Sequence, residues 1–205
     1  MTEREKMLKG KLYDTGDSEL SARREYAHAL CTEYNMTRET NKAKRKKIIK
    51  KLLPHADESA YFQGPIQFDY GDNTYFGKNF YANFNFTVLD CGEVKIGDNV
   101  MFGPNCTLVT PVHPLCHEER NFRFKEDGTP YTIEYDKPIT IGDNCWIASN
   151  VTVIGGVTIG SGCVIGAGSV VVKDIPDNSL AVGNPCRVVR AITSNDKVFE
   201  DIGKK

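Results

Sequence analysis

The chain has 205 residues, 40% of them hydrophobic, which is enough to bury one core and excludes disorder of the whole. Lys and Arg total 26 against 27 Asp and Glu, a formal charge of -1, so no global field draws the molecule toward nucleic acid or a membrane surface, and an anionic partner has to be met locally. The first 20 residues mix both charge signs without an apolar run and no later stretch reaches bilayer length, so a cytoplasmic protein is expected.

Residues 18–53 carry no glycine and combine helix formers with charge, which predicts two short amphipathic helices broken near residues 35–40. Ser18 is the expected N-cap of the first, and Pro54 stops the second. The basic run Lys42-Ala43-Lys44-Arg45-Lys46-Lys47 alternates with Ile48, Ile49, Leu52 and Leu53, so it reads as a solvated helix face and not as a nucleic-acid patch. His28 in the first helix and His55 just after the second are assigned to packing or surface. This N-terminal helical segment covers residues 1–55.

From Tyr75 onward the grammar changes. Apolar residues recur at every sixth position: Phe76, Ala82, Val88, then Ile96, Phe102, Leu108, then Ile141, Ile147, Val153, Ile159, Ile165 and Val171. Residues two places earlier, including Val100, Cys106, Ile139, Cys145, Val151, Val157 and Cys163, are also small or branched, and Gly, Asn, Asp, Ser or Pro fill the gaps. A period of six is neither helical nor plain alternation, so the simplest object is a short strand followed by a tight corner. Three such units close one coil, and coils stack as a parallel β-helix over residues 56–190, an all-β architecture preceded by the helical segment. A sandwich would show longer and irregular spacing. Residues 191–205 form a tail.

Between residues 112 and 138 the period is lost, so residues 113–137 leave the prism as a long loop or arm. The seven cysteines form an odd set, and Cys106, Cys145 and Cys163, at repeat positions that want a small apolar residue and without CxxC spacing, read as reduced core residues. His113, between Pro111 and Pro114, is the best candidate for a general base near neutral pH. A metal would need His113 and His117 with Glu118 or Glu119, but no third histidine stands at repeat spacing, so no metal is expected.

Several segments together resemble the maltose and galactoside O-acetyltransferases. They are Glu5-Lys6-Met7-Leu8, Leu12-Tyr13-Asp14, Asn79-Phe80-Tyr81-Ala82-Asn83-Phe84-Asn85, His113-Pro114, Pro138-Ile139-Thr140-Ile141-Gly142-Asp143-Asn144 and Gly183-Asn184-Pro185-Cys186-Arg187-Val188-Val189-Arg190. The resemblance implies a left-handed parallel β-helix that forms homotrimers, the arm reaching over a neighbouring subunit, and acetyl-CoA as co-substrate. It makes His113 the catalytic base and Asn83 the group that binds the acceptor hydroxyl and steadies the transition state. Asp69, Tyr81 and Asp14 would contact the sugar. Serine stands at the position of Asp69 in the galactoside enzymes, which points to a glucose-type or maltose-type acceptor, and Cys91 replaces an acidic residue. Trp146, Ser149, Ala167, Val172 and Lys173 would line the CoA channel, with Arg187 and Arg190 at the nucleotide phosphates.

The chemistry of the residues agrees with these roles. An alcohol needs an imidazole to take its proton before it attacks a thioester, and paired guanidinium groups after a Gly-Asn-Pro turn suit phosphate. Glu134, near the end of the arm, is expected to orient the imidazole by accepting its other N-H. A non-catalytic β-helix scaffold would have no use for His113, the arm or the terminal arginines.

Overall fold

In the computed structural model of the chain, which describes residues 1–199, the sixfold beat folds into a three-faced parallel β-helix of about six coils. The first face stacks Thr74–Phe76, Val94–Ile96, Ile139–Ile141 and Thr158–Ile159. The second stacks Tyr61–Phe62, Tyr81–Ala82, Met101–Phe102, Trp146–Ile147, Val164–Ile165 and Ser179–Val182, and Arg187–Ala191 folds back antiparallel on the last of these. The third stacks Ile66–Phe68, Phe86–Leu89, Thr107–Val109, Thr152–Ile154 and Val170–Val171.

The beat itself extends below Phe76, into the first residues of the 56–190 segment. Phe62 and Phe68 already fall on the sixfold beat, each paired beneath a later member of its column, and Ala56 bridges to Phe76. The corners are made by residues in the left-handed region: Asn79, Asn85, Asn99, Asn105, Asn144, Asn150 and Asn178 have φ between 52° and 61°. Asparagine tolerates that conformation, and its amide serves a second purpose here. Asn79 donates to Asn99 (2.9 Å) and Asn99 to Asn144 (3.2 Å), while Asn85 donates to Asn105 (2.8 Å) and Asn105 to Asn150 (3.1 Å), so two ladders clip successive corners together.

Coil length and core size change together. Corner contacts 20 residues apart mark the lower coils, and spacings of 18 and 16 mark the upper ones. The wider coils are filled by Phe62, Phe68, Phe76, Phe80, Phe86 and Phe102, with ring centroids 4.4–6.4 Å apart. The narrower coils need only Ile141, Ile147, Val153, Ile159, Ile165 and Val171, all buried. Cys106, Cys145 and Cys163 sit in this core as free thiols that donate to the carbonyls of Ala148 (3.0 Å), Gly160 (3.1 Å) and Pro176 (3.1 Å). Cys116, on the arm, is exposed and not a core residue.

The N-terminal part differs from the expectation. Three helices form, α1 (Glu3–Leu8), α2 (Ser18–Met36) and α3 (Lys42–Leu52). The short first one is held by a Thr2/Glu5 capping box. Asp17, not Ser18, caps α2, accepting from the N-H groups of Glu19 and Leu20, because its carboxylate also suits the positive end of the helix dipole. The two longer helices pack on each other and on the first coil, where Ala27, Leu30, Cys31, Tyr34, Ile48, Leu52 and Leu53 join the prism core. In the C-terminal segment, Ser194–Asp196 is a 3-10 turn. No helix among the described residues is long and apolar enough to cross a membrane.

Candidate active site

The arm is not a bare loop. The chain leaves the prism after Thr110, whose hydroxyl donates to Leu89 O and accepts from Gly92 N-H (both 2.8 Å). Pro111–Val112 then pairs antiparallel with the returning strand Ile133–Asp136, which also pairs with Tyr13–Asp14 from the N-terminus. Beyond this three-stranded sheet lie helix α4 (His117–Arg120) and the hairpin of Arg123–Phe124 with Pro130–Tyr131.

His113 directly follows the first strand, with 58% of its side chain open, and its Nε2 lies 3.6 Å from Glu134 Oε2. That separation suits an ion pair and exceeds a hydrogen bond. Glu134 is itself held by the Tyr13 hydroxyl, which donates to its other oxygen. Burial alternates along Ile133–Asp136 in the sense opposite to hydropathy, with Glu134 and Asp136 inward and Ile133 and Tyr135 half-exposed. Among the described residues the Asp136 carboxyl has no hydrogen-bond partner, and it is pushed up to about 8, first by burial and then by the neighbouring Glu134 charge. Burial likewise drives the Cys91 thiol and the Tyr13 phenol far above their ordinary ranges.

Asp69 closes the other side of this cluster. One of its oxygens is 3.6 Å from the Cys91 sulfur and the other is 3.4 Å from His28 Nε2. His28 lies at the surface, as expected, and the α2 helix brings it there to the carboxylate that the resemblance sets against a sugar. Arg24, one turn earlier, donates to the Tyr70 hydroxyl (3.2 Å). The backbone around Asp69 is pinned by buried Asp90, which accepts from the N-H groups of Tyr70 and Gly71 and from the Thr74 hydroxyl, all at 2.8 Å. Asp14 points to the arm, where Lys125 Nζ lies 2.7 Å away.

The remaining candidates fall elsewhere on the prism. Asp69, the arm root with His113, Val172 and Lys173 follow third-face strands and share the edge between the third and first faces. Asn83, Ser149 and Ala167 follow second-face strands and share the edge between the second and third faces. Asn83 is half-buried, and its Oδ1 accepts from Phe84 N-H (2.8 Å). Tyr81 stacks over Tyr61 at 6.0 Å on the second face, which also presents Trp146 with 51% exposure.

The surface around these groups has room and charge for an extended anionic ligand. Ala167 is exposed, and a Cβ built on neighbouring Gly168, at φ +73°, would meet nothing within 4 Å. Lys173 and Arg187 are exposed, with no carboxylate partner among the described residues. Arg190 differs: its two terminal nitrogens clasp both oxygens of Asp196 at 2.9 and 2.6 Å.

Sequence reading did not identify Tyr13, Asp136 or His28 as members of the site. The first two stood in plain view as a tyrosine and an acid on short strands, but only pairing across 121 residues brings Tyr13 to Glu134. The signal that existed was the alternation of acids in Ile133-Glu134-Tyr135-Asp136, which puts two carboxyls on one strand face.

Residues 6–57 match the maltose acetyltransferase hexapeptide capping motif, residues 93–113 the hexapeptide repeat of succinyl-transferase, and residues 138–173 the bacterial transferase hexapeptide family. The galactoside O-acetyltransferase of Escherichia coli K12 is 43% identical over 199 residues, covering 97% of this chain and 93% of that protein. A maltose O-acetyltransferase from Clostridium difficile 630 superposes with a TM-score of 0.86 at 45% identity, over 95% of this chain and 99% of the other. A galactoside acetyltransferase solved in complex with coenzyme A gives a TM-score of 0.88 at 42% identity, over 97% and 95% of the two chains.

Proposed function

This chain belongs to the hexapeptide-repeat family of galactoside and maltose O-acetyltransferases, and from that premise we propose that it moves the acetyl group of acetyl-CoA to a hydroxyl of a glucose-type or maltose-type sugar, with His113 as general base. The observation that carries the reading is His113 held at the arm root, with one ring nitrogen toward Glu134 at 3.6 Å and the ring otherwise open.

A sugar hydroxyl is too weak an acid to attack a thioester unaided, so the neutral imidazole of His113 takes its proton as the C-O bond forms. The C-S bond then breaks, and the imidazolium returns the proton to the departing thiolate. Transfer is direct, without an acyl-enzyme. Glu134, held by Tyr13, stabilises the imidazolium while it exists. Asn83 has its Oδ1 engaged by Phe84, which leaves its NH2 group to meet the acceptor hydroxyl or the charge developing on the carbonyl oxygen.

Asp69, Asp14 and Tyr81 bind the acceptor in this reading. Trp146, Ser149, Ala167, Val172 and Lys173 line the CoA channel, and Arg187 and Arg190 meet its phosphates, Arg190 after releasing Asp196. Asp69, His113, Val172 and Lys173 lie along one edge of the prism and Asn83, Ser149 and Ala167 along another, so a single chain would have to stretch one ligand across its third face. Setting one edge of one copy against the other edge of a second copy supplies both sets at a single crevice, and a closed homotrimer does so three times. The same reading puts the enzyme in the cytoplasm.

The test is His113→Ala, assayed by thiol release with maltose, glucose and a galactoside. A fall in kcat of about a thousandfold is expected, with the fold intact. Full turnover in the variant would overturn the assignment of the base. Activity on the galactoside alone would overturn the assignment of the acceptor.

A further inference from the structure

A cavity of about 520 Å³ lies between helix α3 and the first coil, and it shares no lining residue with the catalytic site. Its size is that of a small-molecule pocket. Lys42, Arg45, Lys46, Ile49 and Lys50 fall at helical spacing on one face of α3 and form one wall. Leu53, Ala60, Tyr61 and Phe62 continue it.

Arg45 is the unusual member. It is only 8% exposed, and its guanidinium lies 4.2 Å from the centre of the Tyr34 ring. One terminal nitrogen donates to the carbonyls of Phe62 (3.4 Å) and Gln63 (2.6 Å), while Nε has no partner among the described residues. No carboxylate neutralises it among the described residues. The acids on the rim are turned to other groups: Glu58 to Lys46 (3.1 Å), Glu39 to the Gln63 amide (2.5 Å) and Asp57 to Ser59 (2.9 Å). Lys42 and Lys50 also lack carboxylate partners among the described residues. A buried cation without a counter-charge is unfavourable, and an anion entering from the cavity offsets that cost.

We propose that this cavity binds a small amphiphile with an apolar body and one anionic head. The head sits among Arg45, Lys42 and Lys50, and the body runs along Ile49, Leu53 and Tyr61. The basic run of α3, read from sequence as a solvated face, thus has a ligand-binding side.

The test is calorimetric titration of the full chain, saturated with CoA to block the catalytic crevice, with octanoate and with 1-octanol. Octanoate should bind at least about tenfold more tightly than the alcohol. Arg45→Met should weaken octanoate about tenfold, and the exposed double variant Lys42→Ala/Lys50→Ala several-fold, with acetyl transfer unchanged in both. If Arg45→Met does not fold, the lysine pair decides. Absence of octanoate binding, equal binding of acid and alcohol, or binding indifferent to the folded variants would each overturn the proposal.

Discussion

Along the prism, the inward residue of each strand on the sixfold beat, from Phe62 to Ala181, is apolar and buried, and the polar corner residues face outward. At the arm root the strand Ile133–Asp136 does the reverse, burying Glu134 and Asp136 while Ile133 and Tyr135 stay half-exposed. Apart from buried Asp90, which accepts three hydrogen bonds at one corner, the prism is an apolar frame whose energy comes from area and ladder hydrogen bonds. The arm root concentrates charge next to His113, under a sheet contributed by both ends of the arm and by Tyr13–Asp14. Perturbed carboxyls collect where the chain abandons its repeat, and rules of local consistency are commonly broken at a functional site.

Four substitutions sharpen or break that comparison. Phe80→Ala empties the aromatic centre of the lower coils, where the ring lies 4.4–5.9 Å from those of Phe62, Phe76, Phe86 and Phe102. It should cost about 3–5 kcal/mol in denaturant unfolding, equally at pH 5 and pH 9 because no titrating group is involved. A loss that varied strongly with pH would mean that the frame is not electrostatically neutral.

Glu134→Gln keeps an acceptor for Tyr13 but removes the charge beside His113. We expect kcat to fall at least about tenfold, near 1.4 kcal/mol in the barrier, with KM for the acceptor little changed. Unaltered kcat would reduce Glu134 to a packing residue.

Asp136→Asn addresses the buried acid. Its folded pKa of about 8 lies above the ordinary value near 3.9, so its contribution is fully present below about pH 4 and is lost as pH rises toward 8. Asparagine cannot ionise, and the variant should gain on the parent as pH rises from 4 toward 8, by at most about 1.4 kcal/mol per pH unit. Parallel stability curves would show that Asp136 does not carry the pH dependence of this region. The smallest effect is expected for Asn105→Gly, which preserves the left-handed corner and removes only the ladder contacts to Asn85 and Asn150. A few tenths to about 1 kcal/mol should appear as a lowered denaturation midpoint.

The prism was legible in the sequence because each coil touches only the coils above and below it, so the inward beat and the corner asparagines recur at a fixed short distance along the chain. Even there Phe62 and Phe68 were not counted on the beat, since they lack the Gly-Asp-Asn corners of later coils. The site was legible only in part. His113 and Glu134 stood out as a pair at the two ends of the arm, but the Tyr13 that holds Glu134 and the His28 that meets Asp69 come from elements up to 121 residues apart. Their association depends on how an arm, a helix and an N-terminal strand dock against one corner. That docking is set by burial and pairing between distant segments, which no local period records, and so the tertiary structure alone decided it.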